Sequence, residues 1–174
     1  MRLLKGFIIT VAGLFVVITL LSLLMPSTVM TARSVTVQAP QQKIYEQVAD
    51  LNNWKNWHPV FKGGPAGMVI STPAAGKGAY AEWETNNKKN RLEITGVSAN
   101  AVWLTLKRPG KNDVVNQISF TPFEADNSIQ VEWMALTKLK WYPWEKFSGI
   151  LIDKITGPGY DTALKELKAY TERR

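Results

Sequence analysis

Residues Phe7 to Met25 form one uncharged apolar run, with Arg2 and Lys5 before it and Pro26 after it. At 1.5 Å of rise per residue, a helix of roughly 19 residues is about long enough to cross the hydrocarbon core. The apolar part of a cleaved secretion signal is typically about 7 to 15 residues. Length therefore favours a retained anchor. Cleavage stays open as an alternative, because Val29-Met30-Thr31-Ala32 ends in a small residue, although Met30 at the third-last position is a poor cleavage context. Lys and Arg beside a span tend to stay on the cytoplasmic side, so Arg2 and Lys5 predict an inside N-terminus, a bias reduced by Arg33 and Lys43 on the other flank. The expectation from these residues is a single membrane span with the N-terminus inside and the soluble part outside.

This divides the chain into an anchor over residues 1–30 and a domain over 31–174, a length that can bury a core without metal or disulfides. The absence of cysteine excludes a disulfide scaffold and a thiol site. Of the formal charge of +7, three positive charges (Arg2, Lys5 and Arg33) belong to the anchor and its flank, so the domain is only mildly basic. Its lysines are scattered among acids, with Lys88-Lys89 the longest basic pair, which argues against a nucleic-acid partner. An ordinary solvated surface or attraction to anionic lipid heads accounts for such a distribution.

Periodicity sets out the elements. Ser34-Val35-Thr36-Val37 alternates as a short strand does, and Pro40 then opens a helix whose Ile44, Val48 and Leu51 share one face. A second helical turn over Trp54 to Trp57 is closed by His58-Pro59, since the residue before proline is pushed out of helical geometry. Strand-like runs follow at 68–71, 79–85, 91–97, 101–106, 114–120 and 129–139, parted by turn formers including Pro109-Gly110 and Asp126-Asn127. That pattern predicts an antiparallel meander. After Pro143 helical spacing returns: Phe147, Ile150, Leu151 and Ile155 form a stripe, Gly157-Pro158-Gly159 breaks or kinks the helix, and Tyr160, Ala163, Leu164 and Leu167 resume it.

Residues able to carry chemistry are sparse, and no catalytic residue is assigned. His58 is the only histidine, and between Trp57 and Pro59 it reads as a structural or surface residue. One histidine and no cysteine leave nothing for zinc, and the carboxylates do not cluster for a hard metal, so neither metal nor cofactor is expected. Gly76-Lys77-Gly78 lacks the other elements of a phosphate loop and reads as a turn. Tyr80, Glu82 and Glu84 share one strand face, which would allow acid/base work if that face lined a cavity; a solvated sheet face is the alternative.

A strand, two small helices, an antiparallel run and a long final helix make an α+β layout in which a curved sheet wraps around the C-terminal helix. Ala39-Pro40 with the helix to Ala49, the Leu51-to-Pro59 segment, Gly78 to Glu84, Val131-Glu132-Trp133 and Leu164 to Lys168 resemble the START-like superfamily related to birch-pollen allergen. That superfamily is also called SRPBCC or polyketide cyclase-like. The resemblance covers about residues 34–170. It implies a helix-grip fold and an apolar cavity between sheet and helix for lipids, sterols, polyketides or quinones, and it implies binding rather than a reaction.

On that layout the candidate lining residues are Trp83, Trp103, Asn116, Phe120 and Trp133 from the sheet, with Ile150 and Leu151 from the helix. Asn116 interrupts an apolar strand parity and is a candidate polar anchor, provided it finds a hydrogen-bonding partner. The tryptophans can equally fill a core. In Lys138 to Lys146, rings alternate with basic side chains, so Trp141, Tyr142 and Trp144 are candidates for a membrane interface; rings folded onto the sheet are the alternative. The function expected is binding of a hydrophobic small molecule or lipid at a membrane. An enzyme of the same fold using Tyr80, Glu82 or Glu84, and a protein-interaction module with a filled core, remain as alternatives.

Overall fold

The computed structural model describes residues 2–123 and 128–173, so the turn expected at Asp126-Asn127 lies outside the described residues. The first helix, α1 (Arg2–Leu23), is apolar on every side and almost wholly exposed. Its hydroxyls turn back on the helix: Thr10 and Thr19 donate to the carbonyls of Gly6 and Phe15 at 3.0 and 2.8 Å, and Ser22 to that of Thr19 at 2.8 Å. These groups need no water, which is the condition that a hydrocarbon environment imposes.

β1 (Thr28–Val37) follows, longer at its start than alternation predicts, and so takes up the last residues of the segment read from sequence as anchor. Then come α2 (Gln41–Ala49), a 3₁₀ segment Leu51–Asn56, and α3 (Pro59–Lys62). Sequence reading ended this region at His58-Pro59. In the structure His58 is extended, as a residue before proline must be, and it serves as the N-cap from which Pro59 starts α3. The indoles of Trp54 and Trp57 bind this region to α2 by donating to the carbonyls of Val48 and Gln47, each at 3.0 Å.

The remaining strands are β2 (Val69–Ile70), β3 (Tyr80–Thr85), β4 (Lys88–Ser98), β5 (Ala101–Lys107), β6 (Val114–Phe123) and β7 (Ser128–Lys138). Among the described residues they form one antiparallel sheet in the order β1-β7-β6-β5-β4-β3-β2. The expected meander is present, and β1 closes it by pairing along its whole length with β7, from Thr28 opposite Lys138 to Val37 opposite Ile129. β4 bulges between Ile94 and Gly96. One sheet face, with Ile94, Val102, Leu104, Ile118, Phe120 and Val131, forms the core with α2 and the far half of α4 (Pro143–Thr171). This is an α+β helix-grip fold: a curved sheet around a long C-terminal helix.

α4 departs from the sequence reading in two ways. It runs unbroken through Gly157-Pro158-Gly159. The reason for Gly157 is an approach from outside the helix: the Arg33 guanidinium occupies the place where a Cβ would stand. From there Arg33 meets Asp153 at 3.1 Å and Asp161 at 3.2 Å, one on each side of the glycine. The second departure is one of direction. Ala163, Leu164 and Leu167 face the core, as do Gly149 and Gly157, whereas Phe147, Ile150, Leu151 and Ile155 share the opposite face and are exposed, Ile155 by 73%. Their spacing is helical, but the near half of α4 turns its apolar stripe away from the sheet.

Candidate functional site

A cavity of about 480 Å³ lies between the sheet, the Trp54-to-Phe61 segment and the middle of α4. Its walls are largely aromatic. Trp133 of β7 meets Trp54 edge-on at 5.9 Å and Tyr160 of α4 at 5.0 Å, His58 stacks on Trp54 at 5.0 Å, and Phe61 lies 5.9 Å from Trp83. Val60 and Ile155, both exposed, stand at its opening.

Polar groups in this wall are few and mostly engaged. The Trp133 indole donates to Asn116 Oδ1 at 3.0 Å, while Asn116 Nδ2 donates to the Val114 carbonyl at 3.0 Å. An indole can only donate, so this contact sets which end of the amide faces it. His58 Nδ1 is buried with no partner. Burial holds the imidazole neutral and lowers its pKa to about 4, and burial likewise raises that of the Tyr160 phenol. Both titratable groups of this wall are therefore uncharged at neutral pH.

Of the residues nominated from sequence, Trp83, Asn116 and Trp133 line this cavity. Phe120 points to the same side of the sheet but is packed in the core against Tyr45, with ring centroids 6.0 Å apart. Trp103 lies on the other side: it alternates with the fully buried Val102 and Leu104, and its indole covers Gly96 at the β4 bulge. Ile150 and Leu151 are on the outward stripe of α4, 62% and 51% exposed. Trp54, His58, Phe61 and Tyr160 supply the other rings of the wall. Tyr160 belongs to the inward stripe already visible in the sequence, but nothing in a single sequence separates a lined cavity from a filled core.

The acid/base trio is on the outer face. Glu82 accepts from Arg91 at 2.9 Å and lies 3.3 Å from Lys89, and the hydrogen bond from Arg91 is the main cause that lowers its pKa. The Arg91 guanidinium sits 3.7 Å above the Tyr80 ring, and Glu84 is exposed. This is the solvated-face alternative. Among the described residues no three His, Asp or Glu side chains are placed to hold a metal ion.

A second chamber of about 360 Å³ adjoins the first, sharing Leu106, Ile155, Thr156 and Tyr160 with it. Its wall is more polar and includes Arg108, Lys111, Asn112 and Glu145; Asn112 Nδ2 donates to Glu145 Oε2 at 2.7 Å. Beyond it, Trp141 and Trp144 are exposed by 65% and 62%, with Tyr142 stacked on Trp144 at 4.6 Å. Lys146, two residues after Trp144 in the helix, is buried and reaches back to the exit of α1, donating to the Met25 carbonyl at 3.2 Å and to Ser27 Oγ at 2.6 Å.

A family model described as polyketide cyclase / dehydrase and lipid transport matches residues 28–172. No curated protein matches the chain in sequence. Among solved structures, the protein XoxI from Bacillus cereus aligns with a TM-score of 0.60 at 12% identity, covering 83% of this chain and 96% of that one. The di-domain ARO/CYC StfQ from the steffimycin biosynthetic pathway aligns with a TM-score of 0.64 at 11% identity, over 83% of this chain and 51% of its own. Protein CV1439 from Chromobacterium violaceum gives 0.55 at 18% identity, over 86% of this chain and all of that one. At these identities the likeness is one of fold.

Proposed function

This chain belongs to the polyketide cyclase / dehydrase and lipid transport family, and from that we propose that it binds a hydrophobic small molecule or lipid in the cavity between sheet and α4 while α1 anchors it in a bacterial cytoplasmic membrane. The walls favour such a ligand, because aromatic rings supply apolar surface and the wall's two titratable groups are neutral. Trp83, Asn116 and Trp133 contact it in this reading.

The observation that carries the membrane part is the hold of Lys146 on Met25 and Ser27. It fixes the first turns of α4 at the place where the apolar run of α1 ends. Phe147 to Ile155 covers about 12 Å of helix, so the exposed stripe begins at the level of the lipid head groups. Trp141, Tyr142 and Trp144 stand beside it, where aromatic side chains are at home. Ile155 belongs both to the stripe and to the cavity wall, which turns the opening toward lipid. In this reading Arg2 and Lys5 keep the N-terminus inside and the domain outside, against a smaller counter-bias from Arg33 and Lys43.

The test is native mass spectrometry of the full chain released from micelles, followed by extraction and identification of any apolar mass that travels with it. A stoichiometric adduct is expected. A clean apo mass that persists after addition of a panel of lipids and quinones overturns the reading.

A further inference from the structure

Arg108 is the charged member of the second chamber with a buried, unpartnered side-chain atom; Thr31 Oγ1 is the other such atom in its wall. Arg108 follows β5 at the turn closed by Lys111 N–H donating to the Arg108 carbonyl at 3.0 Å, with Gly110 at a φ of +76°. Its Nε is buried without a hydrogen-bond partner, and among the described residues its guanidinium is in no ion pair. Lys111 adds a second positive charge to the wall. Glu145, the chamber's carboxylate, is engaged by Asn112. An arginine that lines a chamber without a carboxylate partner gains from an occupant that brings anionic oxygens. A guanidinium presents a planar fork of donors that matches a carboxylate or phosphate.

The chamber's position adds the other half of the argument. Tyr160 stands in both walls, with Trp133 on its apolar side, and the nearby Arg108 charge works against the rise that burial imposes on its phenol. One elongated molecule passing Tyr160 would meet aromatic rings at one end and a guanidinium at the other.

Resting on the hydrophobic-ligand reading above, we infer that the second chamber is a head-group site, and that the ligand is an amphiphile with an anionic carboxylate or phosphate held by Arg108, assisted by Lys111. Its apolar tail lies in the cavity of Trp54, Trp83 and Trp133, and Tyr160 marks the boundary between the two.

The experiment offers the full chain in neutral micelles an equimolar mixture of palmitate, hexadecyl phosphate and hexadecanol, which share a tail, and reads the retained adducts by native mass spectrometry. At least one anion is expected in roughly tenfold excess over the alcohol; palmitate in the lead points to a free fatty acid, hexadecyl phosphate to a phospholipid. R108Q should abolish the excess while retaining the alcohol, and R108K should keep part of it. Equal retention of all three by the unaltered protein overturns the head-group site yet leaves the hydrophobic-ligand reading intact. An undiminished anion preference in R108Q, with a melting temperature like that of the parent, also overturns it. Retention of none removes the underlying reading and this inference with it.

Discussion

Trp133 Nε1 and Asn116 Oδ1 are 3.0 Å apart on neighbouring strands, so one of the three indoles of the cavity wall is held by a polar side chain at its base. Trp133→Phe would leave that oxygen buried and unanswered, at a cost of about 2 kcal/mol beyond the lost ring contacts. Adding Asn116→Leu should recover part of the loss. Urea unfolding of the full chain in mild detergent measures both; a double variant no more stable than Trp133→Phe would show that the amide does not depend on the indole.

His58 makes stability depend on pH. Its pKa is about 4 in the folded protein against 6.5 for an unperturbed imidazole, so between these values the unfolded chain binds more protons and stability falls as pH falls. Below about pH 4 both states are protonated and the effect levels off. From pH 7 to 4.5 the loss from this group is about 2 kcal/mol. His58→Leu should lose less than the parent by that amount. Parallel slopes would mean that the imidazole is not shielded from water.

Gly157→Ala should destabilise the protein, although alanine is the better helix former, because the new methyl meets the Arg33 guanidinium. The expected cost is about 1–3 kcal/mol. In an Arg33→Ala background it should largely vanish, since Asp153 and Asp161 have then already lost their partner. Additive effects in that cycle would remove the arginine as the reason for the glycine. Arg33 itself holds the Asp153 pKa down by hydrogen bonding, so this pair supports the fold at neutral pH and is lost as acid protonates the carboxylate.

The proposed membrane contact can be tested by tryptophan fluorescence. All seven tryptophans lie beyond α1, and Trp141 and Trp144 are the pair on the exposed surface next to it. In nanodiscs carrying brominated lipid, Trp141→Phe with Trp144→Phe should remove most of the quenching. Equal quenching in parent and variant would place these rings away from the bilayer.

Much of the architecture was legible because it rests on local rules. Alternation marked the strands, turn formers separated them, and Pro143 opened the long helix. The inward stripe of Tyr160, Ala163, Leu164 and Leu167 was legible for the same reason. What escaped depends on partners distant in the chain. Gly157-Pro158-Gly159 reads locally as a helix break, but the glycine answers to Arg33, which arrives from β1. The stripe from Phe147 to Ile155 has the spacing of a core face, and only the packing of Lys146 and Gly149 against the α1–β1 region shows which way it turns. Trp103 was misassigned despite a usable signal, since its neighbours Val102 and Leu104 claim the core side of β5. Arg108 left no signal, because an unanswered donor is a property of surroundings.

The pairing of β1 with β7 also governs the order of events at the ribosome. Thr28 and Lys138 are 110 residues apart in sequence, and Val37 and Ile129 are 92 apart. A chain delivered from its N-terminus presents β1 long before β7 exists, so this ladder forms last during synthesis, when α1 and every other strand have already emerged. Contacts so distant in sequence are slow to form, and an early strand left waiting is open to pairing with the wrong neighbour. The nascent domain is therefore most vulnerable while its first strand, next to α1, still lacks a partner.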